Sequence, residues 1–194
     1  LPYFTLAGDY SDRRLRAAVD LYRKDTVALK ADATVPVDLA LTRVPTRLLH
    51  DTLSGHIRAD SVDLSLIEGV SPQFARASGA ANLHADIGGT IAKPTVIGSL
   101  RIAKGAMTLP SLGVRLSDLN ADVELTRDSV RVARFTVASP DIDGSSASVS
   151  GGIAVPNWRK VKTLGLGLTF TARNFQVIDK RSLASLQATG TLQV

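Results

Sequence analysis

The chain has 194 residues, a formal net charge of +5 at pH 7 and no cysteine, which fits one domain and excludes disulfides and thiolate metal sites. Its basic residues are dispersed and lack the interleaved aromatic side chains of a single-strand nucleic-acid platform, so we expect no nucleic-acid partner. Aromatic residues make up only 5% of the chain, and such an aliphatic composition favours a groove for flexible hydrocarbon over an aromatic-rich core.

The first third of the chain predicts three strands, over residues 3–9, 13–22 and 25–42. In the third, nearly every odd position is apolar and the even positions are mostly polar, which predicts one dry and one polar face. Unbroken, this strand would span ~55 Å, against a usual ~17–20 Å. We therefore expect Pro36 or residues 32–34 to bend or divide it.

The segment 44–50 breaks the period, and with Pro45 near a first helical position it predicts a short helix or an irregular crossing. Alternation resumes over residues 55–66 with a one-residue slip at Asp60 and Ser61. Because a slip of one residue reverses the two faces, the pattern predicts a β-bulge there. Residues 68–78 contain Gly69 and Pro72 and are expected to form a loop or a helical turn.

The remainder alternates in short segments separated by turn residues. A second one-residue slip falls at Ser117 and Asp118, and Phe175 and Val177 continue the last long segment in another phase. Roughly a dozen strands with almost no helix are typical of an antiparallel all-β architecture. The predicted strands cover residues 79–89, 94–104, 106–109, 113–126, 129–138, 145–155, 163–170 and 187–194.

No set of residues predicts catalysis, a metal site or a cofactor. His50 and His56 lack metal-ligand spacing, and His84 occupies the polar side of its predicted strand. The sequence from Asp141 to Gly144 resembles the start of a calcium loop, but no glutamate completes it, so we interpret it as a turn. Gly165 and Gly167 lie inside a strand pattern, unlike a dinucleotide-binding loop. We therefore expect a protein that is not an enzyme.

No apolar run approaches the ~18–20 residues of a transmembrane helix, and no signal peptide is recognisable. The chain starts without Met and its last residues follow a strand pattern. We therefore expect it to be part of a longer polypeptide whose targeting and anchoring parts lie elsewhere.

Residues 84–105 carry a specific phrase, with a glycine–threonine pair, a proline and two further spaced glycines. It resembles the recurring phrase of the TamB family, the large AsmA-like periplasmic proteins of Gram-negative bacteria. Residues 53–64, 112–121 and 148–155 resemble further segments of that family in the same order, so the resemblance covers roughly residues 25–194. The matching positions of the phrase are Gly89, Thr90, Pro94, Gly98, Leu100 and Gly105.

The resemblance implies a β-taco, an elongated curled antiparallel or mixed sheet that forms an open apolar trough with at most short helical turns. It also implies a periplasmic location within an inner-membrane-anchored protein that reaches an outer-membrane barrel partner, TamA or a relative. Family members are implicated in moving phospholipid between the membranes and in assembling outer-membrane proteins. Residues 1–194 are then expected to be a single late internal segment of such a trough.

The apolar side chains of the alternating segments are the expected lining for phospholipid acyl chains. A dozen strands at ~4.8 Å give a trough ~58 Å long, and one leaflet is ~15 Å thick, so several lipids would fit in file. The expected groove residues are Val27, Leu29, Val35, Val37, Leu39, Leu41, Ile57, Leu64, Leu83, Ile87, Val96, Leu100, Ile102, Leu116, Leu119, Val123, Leu125, Val132, Phe135, Val137, Ile153, Val155, Leu164, Leu166, Leu168 and Phe170.

Two other hypotheses remain open at this point. The first is a closed β-sandwich or barrel that serves as a structural spacer or protein-binding scaffold. The second is a chaperone-like sheet edge that adds strands of outer-membrane β-barrel proteins during assembly by backbone pairing. A closed sandwich would pack the apolar face against itself, whereas a trough would leave that face open and continuous.

Overall fold

The computed structural model describes residues 3–23, 25–42, 44–69, 71–155, 165–180 and 184–194, which form eleven strands and one short 3₁₀ helix, Leu64–Gly69. The strands are β1 (Tyr3–Ser11), β2 (Arg14–Arg23), β3 (Thr26–Pro36), β4 (Ser54–Asp63), β5 (Ala75–Gly89), β6 (Pro94–Leu109), β7 (Val114–Leu125), β8 (Ser129–Ala138), β9 (Ser146–Ala154), β10 (Gly165–Lys180) and β11 (Ala184–Gln193).

All eleven strands belong to one sheet, in which each strand pairs with the next along the chain. Every pairing is antiparallel, so the sheet is a meander and not a mixed sheet. β1 and β11 lie at opposite edges and the sheet does not close. The predicted all-β, open antiparallel architecture is confirmed. The closed sandwich or barrel is wrong, since the described residues form no second sheet and no closed ring of strands.

The cross-strand register places apolar residues on one face of the sheet, which we call the apolar face. One line of directly paired residues crosses from β1 to β10 without a polar side chain, and Leu168 exchanges two backbone hydrogen bonds of 2.9 and 3.0 Å with Val194 beyond β11. This apolar row consists of Phe4, Leu21, Leu29, Ala59, Leu83, Leu100, Val123, Val132, Gly151 and Leu168. Because pleated strands alternate their side chains, the neighbouring row faces the other way.

That neighbouring row is polar and charged from β2 to β8. It runs through Asp20, Lys30, Arg58, His84, Ser99, Glu124 and Arg131. The two rows together show a sheet with one dry and one wet face along nearly its whole width, which is what the alternation in the sequence predicts.

At one point in each of β4, β6, β8 and β10, a β-bulge inserts one extra residue relative to the strand that follows. We call this oblique line of bulges the crease, because a β-bulge bends its strand and increases the local twist. The extra residue falls between Ala59 and Val62, Ile102 and Gly105, Val132 and Phe135, and Ala172 and Phe175. The bulge predicted at Asp60 and Ser61 is therefore confirmed, and so is the slip at Ser117 and Asp118 in β7.

The long strand predicted over residues 25–42 ends at Pro36, which is fully buried. Proline has no N–H for a further ladder bond, and the next residue, Val37, donates its N–H to the Arg13 carbonyl at 2.9 Å. The chain then leaves the sheet. It contacts the sheet again where the Leu39 N–H donates to Tyr10 Oη of β1 at 3.0 Å, and Val37 and Leu48 form an isolated bridge outside the eleven strands. Of the two structures predicted for residues 44–50, the irregular crossing is confirmed and the helix is wrong, because these residues form bends and that bridge.

The 3₁₀ helix begins at Leu64, earlier than the loop predicted from residue 68, and it covers part of the apolar face. Leu64 is 9% exposed and packs with Ala77 and Ala81 of β5. Asp63 caps the helix, since its side chain accepts the Ser65 N–H at 2.8 Å. β6 also continues unbroken to Leu109 where two separate strands were predicted, because the bulge at residues 103–104 absorbs the change of phase.

Candidate apolar trough and cup

Most of the expected groove residues lie on the apolar face. The register places nineteen of them there: Leu29, Val35, Ile57, Leu83, Ile87, Val96, Leu100, Ile102, Leu116, Leu119, Val123, Leu125, Val132, Phe135, Val137, Ile153, Leu166, Leu168 and Phe170. Val155 follows β9 and is buried where its N–H meets the Asp128 carbonyl at 2.6 Å. Leu164 lies outside the described residues.

Five expected groove residues lie elsewhere. Leu39 and Leu41 follow Pro36 and leave the sheet, with exposures of 44% and 104%. Val37 follows the last residue of β3 and forms an isolated bridge to Leu48 outside the eleven strands. Leu64 is on the 3₁₀ helix, where it covers the apolar face instead of forming it. Val27 pairs with Tyr22, because a register shift next to Leu21 takes it off the apolar row.

The depth of the apolar face varies along the sheet. Near the 3₁₀ helix it is covered, and Ala81, Leu119 and Ala121 are each no more than 5% exposed. Toward β10 and β11 it is open, with Leu166 50% exposed and Leu192 62% exposed. An apolar side chain on this face is therefore buried near the 3₁₀ helix and accessible to water near β10 and β11.

The trough is closed at one end between β7 and β10. The N–H of Asp179, near the end of β10, donates to the Leu112 carbonyl in the β6–β7 turn at 2.9 Å. The N–H of Gln176 donates to Ser139 Oγ, just after β8, at 3.0 Å. The strands β7, β8, β9 and β10 form a cup, because the first and the last of them meet at one end. We use that name for this part of the trough.

Gly113 makes this closure compatible with the backbone. Its φ of 72° is in the left-handed region, and a Cβ at this position would collide with the carbonyl of Asp179. Only glycine avoids both problems. The Ser145 hydroxyl joins the same region, as it accepts the Ser139 N–H and donates to the Ser139 carbonyl, both at 2.8 Å.

The cup contains a partly open cavity of about 580 Å³ lined by residues from the end of β6, the β6–β7 turn and β7 to β11. None of the described residues that line it is charged. Sequence reasoning found Leu116, Phe135, Val137 and Phe170 but missed the rest of the lining. The missed residues include Leu109, Leu112, Val114, Val149 and Phe175, of which Phe175 had been marked only by its change of phase.

The opposite face carries charges that largely neutralise each other. Arg101 and Asp122 are 3.5 Å apart on adjacent strands, and Arg131 and Glu124 are 3.7 Å apart. His56 Nδ1 lies 2.9 Å from Asp32 Oδ2, and this hydrogen bond raises the pKa of the exposed histidine. The described residues contain no group of three His, Cys, Asp or Glu side chains arranged to hold a metal ion.

The phrase in residues 84–105 has a structural explanation at each of three glycines. Gly89 ends β5 with a φ of 81° before the turn to Pro94, which begins β6. At Gly98 a Cβ would collide with the His84 carbonyl of the paired strand, and at Gly105 it would lie 3.0 Å from Leu64 Cδ1. The phrase therefore specifies the β5–β6 hairpin and the seat of the 3₁₀ helix.

Comparisons of the chain with protein-family models, with curated proteins and with solved structures gave no match. Among the described residues, no helix has the length and apolar character needed to cross a bilayer.

Proposed function

We propose that this chain binds phospholipid acyl chains along its apolar face, as one segment of a TamB-like periplasmic protein that carries lipid between the inner and outer membranes. The observation that carries the proposal is the apolar row, which crosses every strand from β1 to β10 and continues to Val194 without a polar side chain. Such a row presents no polar side chain as a barrier to a hydrocarbon chain that lies across the strands.

Two further observations support a lipid occupant. Exposed apolar patches of monomeric proteins rarely exceed a few hundred Å², whereas this face spans eleven strands and carries exposed Phe4, Leu6, Leu166 and Leu192. Acyl chains would cover such a surface without needing specific polar contacts. The charges confined to the other face would keep the chain in contact with water.

Photo-crosslinking at adjacent positions tests the proposal, because neighbouring residues on a strand face opposite ways. Photoreactive residues at Leu83, Leu100 and Leu166 are expected to capture phospholipid in cells. The matched controls at His84, Arg101 and Gly165 sit one residue away on the polar face and are expected to capture none. Equal capture on both faces, or a purified chain free of phospholipid by mass spectrometry, would contradict the proposal.

A further inference from the structure

We propose that the cup takes the terminal part of a single acyl chain and limits its length, so that this part of the trough is a binding station and not an open passage. This inference rests on the proposed lipid function and specifies where and how one chain is held. It is carried by a closed end, an uncharged lining and a depth that matches one hydrocarbon tail.

The closed end of the cup limits how far an acyl chain can enter. Asp179 and Leu112 join the end of β10 to the β6–β7 turn, and Gln176 and Ser139 join it to the β8–β9 loop. A tail that enters along the strands from the open side meets this backbone wall. Its polar head then stays toward the opposite end of the strands, because these contacts block the way beyond the wall.

The chemistry of the lining fits a neutral hydrocarbon. The buried polar side chain of the lining, Gln176, already has protein partners: its Nε2 donates to the Ile178 carbonyl at 2.6 Å and to Ser185 Oγ at 2.9 Å. Among the described residues, no buried side-chain nitrogen or oxygen lacks a hydrogen-bond partner. An occupant therefore has no polar group to satisfy, and a charged one would find no counter-charge in the lining.

The dimensions of the cup fit one acyl chain. Along β10 the lining runs from Phe170 to Val177, seven steps of ~3.3 Å or ~23 Å before the bulge shortens it. One leaflet of hydrocarbon is ~15 Å deep. The cavity of about 580 Å³ is in the ordinary range of ~300–1,000 Å³ for a small-molecule site. The cup therefore accommodates the tail of one lipid and ends shortly beyond it.

The test is calorimetric titration of the purified chain with laurate, myristate, palmitate, stearate and arachidate, each below its micelle concentration. Each pair of added methylenes should tighten binding about tenfold while it enters the apolar cup, and the gain should stop once the cup is full. Ala147→Phe fills the cup from β9 and should move this plateau to a shorter acid. Ser146→Phe changes the preceding residue, which lies on the opposite face, and should leave the plateau unchanged.

Each outcome decides between the two proposals. If the wild-type chain binds none of the acids, the proposed lipid function fails and the cup fails with it. If binding keeps tightening through arachidate, or if folded Ala147→Phe keeps the wild-type plateau, lipid binding stands and the cup inference is overturned. Should Ala147→Phe lose its strand signal in circular dichroism, Ala188→Leu on β11 narrows the same cavity and takes its place.

Discussion

The side-chain oxygen of Asn120 accepts a hydrogen bond from the backbone N–H of Lys104 at 3.1 Å, directly across the bulge in β6. Lys104 has a φ of 50°, which is rare for a residue with a side chain. The bulge turns this N–H away from the backbone ladder, and the side chain opposite satisfies it. The same Asn120 donates from Nδ2 to the Asp118 carbonyl at 2.8 Å and so also steadies the bulge of β7.

The contact recurs at two other bulges of the crease. Asn82 accepts the Ser61 N–H at 2.8 Å, and Thr189 accepts the Asn174 N–H at 2.9 Å. Ser61 and Asn174 also have positive φ values, 53° and 45°. All three accepting residues are on the polar face, so the side chains that stabilise the crease do not intrude on the apolar face.

The first prediction concerns the backbone strain at the β6 bulge. Lys104→Gly should stabilise the fold by about 0.5–1 kcal/mol, because the left-handed conformation costs an L-residue about 1–2 kcal/mol and glycine gives back part of that in backbone entropy. The thermal midpoint should rise by about 2–4 °C per kcal/mol for a chain of this size.

The control for this prediction is the preceding residue. Ala103 has no positive φ, so Ala103→Gly brings only the entropic penalty and should lower the midpoint. Equal effects of the two substitutions would contradict the proposed strain.

The second prediction concerns the side chains that satisfy the bulges. Asn82→Ala removes the acceptor of the Ser61 N–H and should cost about 1 kcal/mol. Asn82→Asp keeps an acceptor, and it faces the paired Arg101 of β6, so it should restore the wild-type midpoint. Chemical denaturation of both variants measures the difference. A midpoint for Asn82→Asp as low as that of Asn82→Ala would show that the hydrogen bond is not what stabilises the bulge.

The crease also shows how much of the fold the sequence reveals. The slips at Ser61 and Asp118 were predictable, because apolar residues continue on both sides with their phase reversed. The bulge at Lys104 was interpreted as a strand end instead, since Gly105 and Ala106 interrupt the apolar pattern. A bulge whose flanking residues are small gives little periodic signal, although its register is as definite as the others.

The third prediction concerns acid stability at the 3₁₀ helix. The hydrogen bond from Ser65, together with Arg23 Nη1 at 2.6 Å, lowers the pKa of Asp63 from 3.8 to about 2. A carboxylate with a lowered pKa stabilises the folded state above its unfolded pKa, and this contribution disappears as the pH falls through its folded value. Asp63→Asn should therefore lower the thermal midpoint above pH 3.8 and have a shrinking effect toward pH 2.

Substitution of Arg23 separates the two causes of the lowered Asp63 pKa. Arg23→Gln should reproduce part of the loss with the same pH dependence, because the hydrogen bond from Ser65 remains. The contribution is modest, as the Asp63 side chain is 36% exposed and solvent screens the ion pair. A gap between wild type and Asp63→Asn that stays constant down to pH 2 would contradict the assignment.

The cup was not predictable from local pattern. Its wall consists of backbone contacts between Leu112 and Asp179, which are far apart in sequence and have no shared periodicity. Alternation indicates which face is dry, but it carries no information on how far the sheet curls or which turns meet. At Leu39 and Leu41 the pattern predicts a strand where none forms, because the alternation continues past Pro36 although the strand ends there.

The fourth prediction compares two arginines placed on the apolar face at different depths. Leu166 is 50% exposed, whereas Ala121 is 4% exposed. At Leu166 the guanidinium can reach water beside the open side of the trough, so Leu166→Arg should keep a near-normal thermal midpoint. At Ala121 the charge is sealed against its neighbours, and Ala121→Arg should cost about 3–5 kcal/mol, the scale of an uncompensated buried charge.

The phospholipid content of purified Leu166→Arg is the second measurement. Leu166→Arg should fold yet purify with less phospholipid, because it places a charge beside the path of the acyl chain, while Gly165→Arg on the other face should fold and keep the wild-type amount. Phospholipid content unchanged in Leu166→Arg would mean that the open part of the face does not contact lipid, and a midpoint lowered as far as that of Ala121→Arg would mean that Leu166 is not at an open side of the sheet.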